Sequence, residues 1–289
     1  MLNPVFRRET KTSLRNWKVF YAISGYIFLV SLVAAVAIWQ IMYNSYAASF
    51  NPSEMTTVYI GLTILELALV LLITPSLTAG SISGERERQT LDLLLITKVS
   101  PFSIILGKFL SGLSIIVLMI FATMPIFAMI MYFGGTSILY VLAVTGYMIL
   151  VCGAFGAIAM FFSTVFKKTV TSMVITYIWT GVLCGATMIF YMLTCTVYGS
   201  YFQKALPAFP RIVMLAVNPV IGLVSIICEQ TGHGLIYNIL DYANYYGTTY
   251  TPITLSVPMW IINAVALIAI IILFLVLASL RIRKISKKG

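Results

Sequence analysis

The chain has 289 residues, 61% of them apolar and 9% charged, with a formal net charge of +10 and a mean hydropathy of +1.02. Soluble domains are about 45–50% apolar and about 25% charged, so a soluble single-domain enzyme is excluded and a polytopic, all-α membrane protein is expected. The excess of Lys and Arg does not indicate nucleic acid as a partner, because these residues sit where apolar stretches end and not on one continuous face.

Residues 1–18 carry Arg7, Arg8, Lys11, Arg15 and Lys18 at helical spacing, with Leu2, Phe6, Thr10, Leu14 and Trp17 recurring on another side. The pattern reads as an interfacial amphipathic helix, against the plainer alternative of a topogenic basic cluster. The first long apolar stretch, Val19–Met42, exceeds the roughly 7–15 residues of a signal-peptide core, which makes it a retained span. Further spans are expected at Thr57–Thr78, Pro101–Tyr132, Ser137–Phe162, Val170–Leu193 and Pro258–Leu280, six in all. Lys and Arg are absent from 43–56 and 133–136. They appear as Arg86, Arg88 and Lys98, then Lys167 and Lys168, then Arg281, Arg283, Lys284, Lys287 and Lys288. Alternate connections are therefore basic, and the positive-inside rule predicts a multi-pass plasma-membrane chain with both termini cytoplasmic. The segment 80–100 is then cytoplasmic and the loop 194–257 extracytoplasmic.

That loop contains Ile212–Cys228, about 17 apolar residues, at the lower limit of a span and interrupted by Asn218-Pro219. A seventh span would export the basic C-terminus. A re-entrant or interfacial helical hairpin is expected instead, with its break at Asn218 and Pro219. Tyr198, Tyr201, Tyr237, Tyr242, Tyr245, Tyr246 and Tyr250 suit the outer membrane interface, and a solvated loop is the alternative for 237–252.

Little catalytic chemistry is on offer. The lone histidine, His233, excludes a two-histidine metal site, and Gly107-Lys108 lacks the upstream glycine and following Ser or Thr of a phosphate-binding loop. No catalytic residue, metal ligand or cofactor is assigned to this chain. Cys152 and Cys184 lie in apolar stretches and behave as small hydrophobes. Cys195 and Cys228 both fall in the expected outer loop, where oxidation would join them in a disulfide; two reduced, membrane-shielded thiols are the alternative. Gly153 and Ala157 at i and i+4, with Gly146 two turns earlier, permit close helix approach. Glu66 costs about 2.5–3.5 kcal/mol within a span unless it is protonated, paired or hydrated. It is expected either to line a translocation path together with Asn263, or to be a protonated side chain bonded to a neighbouring hydroxyl or to Asn263 itself.

The connection after the second span reads Pro75-Ser-Leu-Thr-Ala-Gly80-Ser-Ile-Ser-Gly84-Glu-Arg-Glu-Arg-Gln-Thr90-Leu-Asp-Leu-Leu-Leu95, followed by Val99-Ser-Pro101 and Leu106-Gly-Lys108. From Gly84 it carries Glu85, Arg86, Glu87, Arg88 and Asp92, with Leu91, Leu94 and Leu95 at helical spacing. A short amphipathic helix along the inner membrane surface is expected, its charges facing the cytoplasm, against a solvated charged turn. This run, its Thr90-Leu91 continuation, the Gly107-Lys108 pair and the opening Leu2-Asn-Pro-Val-Phe-Arg-Arg-Glu9 together resemble the permease subunits of type-2 ABC exporters. The six-span layout, the Gly/Ala-rich fourth span ending in Ser163 and the outer hairpin extend the resemblance over the whole chain, as a single permease domain.

The resemblance implies a dimer with a second permease, identical or homologous, bound to two ATPase subunits that hold ATP and Mg, and export of lipids, glycans, peptides or drugs. Gly84, Glu85, Arg86, Glu87, Arg88, Thr90, Leu91, Leu94 and Leu95 are then the segment coupled to the ATPase. A membrane component of an ABC-type sensing or resistance complex is the alternative. A membrane-embedded lipid- or glycan-modifying enzyme is a third, opposed by the arginines interleaved with Glu85, Glu87 and Asp92, the one cluster of acids.

Overall fold

The computed structural model of the chain describes residues 6, 9, 16–44, 52–90, 100–134, 138–202, 206–231 and 257–286. Among these residues every regular element is a helix. In chain order they are α1 (Trp17–Asn44), α2 (Pro52–Thr78), α3 (Ser83–Glu87), α4 (Pro101–Phe133), α5 (Ile138–Val165) and α6 (Thr169–Gly181). A π-helical turn, Val182–Ala186, leads into α7 (Thr187–Phe202), followed by α8 (Ala208–Ala216), α9 (Pro219–Thr231) and α10 (Met259–Ser286). The expected interfacial helix at 1–18 and the tyrosines at 237–250 fall largely outside the described residues, as do Leu91, Leu94 and Leu95.

Among the described residues six helical runs are long and apolar enough to cross a membrane, Trp17–Tyr43, Ser53–Glu87, Pro101–Phe133, Ile138–Val165, Thr169–Phe202 and Met259–Ile282, or seven if the bent pair α8–α9 counts as one span. The six coincide with the six expected stretches. Two differ in length: the second runs on past Thr78 to Glu87, and in the fifth α6, the π turn and α7 continue past Leu193 to Phe202. Cys195, Tyr198 and Tyr201 therefore sit on a helix and not in the loop expected from 194 onward. Nothing in 194–202 breaks a helix except Gly199, and a single glycine costs only about 1 kcal/mol relative to alanine. Helices α8 and α9 meet at a bend of 107°. Val217 and Asn218 separate them, and Pro219 opens α9 at a position where its missing N–H is no loss.

The chain divides into two compact units, Met1–Tyr177 with Ile270–Gly289, and Ile178–Ala269. In the first, α5 is the central helix: Val151, Cys152, Ala154, Phe155, Ala157, Ile158, Ala159 and Met160 are all buried. Small side chains bring its neighbours close. A Cβ on Gly156 would stand 3.1 Å from Leu113 Cδ2 and 3.3 Å from Phe109 Cε2, and one on Gly153 would stand 3.1 Å from Ile271 Cδ1. Gly146, expected to belong to the same stripe, has nothing within 4 Å of its Cβ position. The close approach is thus carried by Gly153, Gly156 and Ala157.

The second unit is built on an apolar cluster of Tyr191, Cys195, Leu206, Leu215, Ile221, Cys228 and Met259. The disulfide expected between Cys195 and Cys228 is not formed: both are buried thiols within this cluster. Shielded from water and oxidant, they pack as small hydrophobes.

Gly156→Leu is expected to destabilise the protein by about 1–3 kcal/mol through overpacking, whereas Gly146→Leu should stay within about 0.5 kcal/mol of the parent. Thermal unfolding of the two purified variants in one detergent, followed by tryptophan fluorescence, checks the contrast.

Candidate functional site

The charged connection after α2 folds into a compact knot. Ala79 and Ser81 donate backbone hydrogen bonds to Pro75 O and Thr78 O, turning the chain at the end of α2, and Gly84 N bonds Gly80 O at 2.9 Å. Gly80 lies where a Cβ would come within 3.0 Å of Thr169 Cγ2, so a larger residue would push this turn away from the start of α6. Helix α3 has only five residues, too few to be stable alone. It is closed at its end by Gln89, whose φ of 56° places it in the left-handed region, with Thr90 N bonded to Glu85 O at 2.9 Å.

Its beginning is capped from a distant helix. Ser163 Oγ, near the end of α5, accepts hydrogen bonds from Ile82 N and Ser83 N, both at 2.9 Å. These two N–H groups open a helix and have no partner within it. Ile82 is fully buried in a cluster with Ile105 and Phe109 of α4, Ala157 and Met160 of α5, and Leu275, Ala278 and Ile282 of α10.

Three successive charges of α3 are engaged inside the chain. Lys108 Nζ, on the second turn of α4, lies 3.2 Å from Glu85 Oε1 and 2.7 Å from Glu9 Oε1, and its side chain is only 5% exposed. The Thr90 hydroxyl donates to the other Glu85 oxygen. Arg86 donates to Thr164 O at 3.2 Å and Phe166 O at 3.3 Å, closing the C-terminal end of α5, where carbonyls lack helical partners and positive charge is favoured. Glu87 accepts from Thr169 N at 3.0 Å and from Thr169 Oγ1 at 2.6 Å, capping the N-terminus of α6. Not all the mixed charges of this run are turned outward: Glu85 and Arg86 are half-buried against their own chain, where a buried lysine and a helix end engage them, whereas Glu87 caps α6 from an exposed position. Arg88 and Gln89, at the tip, are exposed, as are Lys167 and Lys168 between α5 and α6.

The other singled-out residues lie elsewhere. Glu66 is buried in the first unit, with the Thr123 hydroxyl of α4 at 2.7 Å and the Tyr26 hydroxyl of α1 at 3.5 Å from its Oε1. Asn263 belongs to the second unit, where its amide donates to Ala216 O at 2.7 Å and Asn218 O at 2.9 Å. Asn218 in turn donates to Cys184 O, a carbonyl of the π turn, and to Thr187 Oγ1, both at 2.9 Å, and accepts from Val220 N. The two asparagines thus hold the bend between α8 and α9. Of the partners of α3, Lys108 and Ser163 stand in the sequence only as parts of the family resemblance, and nothing in the sequence marks Thr169.

Ser163→Ala would leave two buried N–H groups without an acceptor, at a cost of about 1–3 kcal/mol. Ser114→Ala is the control, because that exposed hydroxyl bonds only Leu110 O of its own helix. A clearly lower unfolding temperature for the Ser163 variant, beside a near-parental one for Ser114→Ala, is the expected result.

A search of curated proteins finds no match. The sequence does match a family described as ABC-2 family transporter protein over residues 4–284, which include the knot, all six apolar runs and the bent helix pair. A match of that extent shows that the chain belongs to the ABC-2 family of transporter proteins, as a membrane component that is not itself catalytic.

Proposed function

We propose that this protein is the permease subunit of an ATP-driven exporter, which forms the path through the membrane and is driven by a separate ATPase docked on the knot around α3. The observation that carries this reading is the number of elements joined at α3. Through Glu85, Arg86, Glu87, Ile82 and Ser163 it is bound to α4, α5, α6 and the second half of α10, and Lys108 links it onward to Glu9 of the N-terminal segment. A partner biases a two-state protein only through contacts that differ between the states. A displacement applied to α3 would be shared by several spans at once, as alternating access requires.

The exposed tip, Arg88 and Gln89 with Lys167 and Lys168 close by in the next connection, offers a basic surface to the ATPase. Leu91, Leu94 and Leu95 supply an apolar footing. In this reading the knot and both termini are cytoplasmic by the positive-inside rule, and the bent pair α8–α9 is a re-entrant hairpin on the opposite face. ATP and Mg belong to the partner, expected in two copies beside a second permease.

Orientation is read by introduced cysteines at Ser53 and Ser286, probed with a membrane-impermeant thiol reagent. With six spans they label from opposite sides; labelling from one side would mean that α8–α9 crosses the membrane. Docking is read by recovering the tagged chain from its native membranes and identifying bound ATPase. Arg88→Glu combined with Lys168→Glu is expected to reduce that ATPase several-fold without lowering thermal stability. If no ATPase is recovered with the parent chain, or if the double variant retains it in full, the reading fails.

A further inference from the structure

An open-sided cavity of about 680 Å³ lies between α1 and α2, in the half of the unit where α1 ends and α2 begins. Its volume is in the range of small-molecule sites, about 300–1,000 Å³. Val33, Ala37 and Ile41 of α1 face Val58, Leu62 and Leu65 of α2 across it, and Gly61 leaves a gap in the wall, since a Cβ there would meet nothing within 4 Å. From Glu54 to Leu65 the lining follows α2 for about 16 Å at 1.5 Å per residue. One leaflet of hydrocarbon is about 15 Å deep. The cavity is therefore one leaflet long.

Its polarity is graded along that length. The deep wall is aliphatic, whereas the mouth holds Gln40, Glu54 and Thr57. The Thr57 hydroxyl bonds Ser53 O of its own helix. Among the described residues neither the Gln40 amide nor the Glu54 carboxylate has a hydrogen-bond or ion-pair partner. The place of Glu54 in the first turn of α2 is favourable for a carboxylate in any case. That preference accounts for the residue type and leaves its place in the lining of a mostly apolar, leaflet-long cavity to be explained.

We propose that this cavity binds a membrane amphiphile made of an acyl chain and a protonated amine headgroup, the chain lying along the aliphatic wall and the ammonium donating to Glu54 and Gln40. In a bilayer the chain is already in hydrocarbon, so the apolar wall confers little selectivity. Discrimination falls to the mouth, where an ammonium gains charge-assisted hydrogen bonds and an anionic headgroup meets a like charge. The proposal rests on the membrane orientation given above for its leaflet, the outer one, and it names a candidate substrate class for the exporter.

The test uses the purified full chain in phosphatidylcholine nanodiscs and two photoreactive probes with the diazirine at mid-chain, a long-chain alkylamine and the matching alkanol. The amine is expected to label peptides covering 33–41 and 54–65 at least about tenfold more than the alcohol. Glu54→Gln should remove that preference. Gly61→Leu, which fills open space, should remove labelling by both probes while the unfolding temperature stays unchanged. Equal labelling by the two probes, or an amine preference that survives Glu54→Gln, would overturn the proposal. So would cross-links between two copies of the chain at these peptides in place of probe adducts, because a second permease would then cover the cavity. Both probes enter both leaflets, so the labelling is independent of orientation, which the cysteines at Ser53 and Ser286 report separately.

Discussion

The ammonium of Lys108 is the constraint around which the charged end of the first unit is organised. It is almost wholly buried and sits within 3.2 Å of two carboxylates, from Glu9 and Glu85. A buried charge without a partner is costly, and truncating either side of such a pair leaves the other uncompensated. The lysine therefore draws in the N-terminal segment and α3 together. The three stretches concerned are those on which the resemblance to exporter permeases rested: the opening Arg-Arg-Glu9, the Glu-Arg-Glu run and Gly107-Lys108. In the folded chain Glu9, Glu85 and Lys108 form one cluster.

Around that cluster the remaining polar groups complete one another's helix ends. Helix α3 is too short to satisfy its own termini, so Ser163 of α5 accepts its leading N–H groups. In return Arg86 closes the end of α5, and Glu87 opens α6. Each cap supports another, so the loss of one side chain loosens more than one helix. An element held in this way has less freedom of its own than a solvated turn, since its bonds run to several packed helices.

The second unit uses a related device with uncharged groups. The π turn leaves the Cys184 carbonyl available, and Asn218 takes it at the point where α8 and α9 bend apart. Asn263 binds the carbonyls on either side of the same bend. Backbone polar groups at a helix break need partners wherever water is scarce, and two amides supply them here.

Several features follow from the sequence by itself. Apolar length alone marks six runs as able to cross a membrane, and Pro219 dictates a helix boundary whatever surrounds it, because it lacks an N–H and restricts the residue before it. These are local properties of the chain. The tertiary structure decided which residues meet. Glu87 bonds Thr169, 82 positions away, and Lys108 bonds Glu9, 99 positions away, so no periodicity within a single helix could reveal either pair. The same holds for the glycines. Gly146 and Gly156 are alike as letters, but Leu113, Phe109 and Thr74 crowd only the second. It holds also for Cys195 and Cys228, whose shared apolar cluster depends on α7 continuing through 195. Charge and size are written in the sequence, but the partner that makes a charge inward-facing or a glycine indispensable arrives from another helix, and packing alone brings it there.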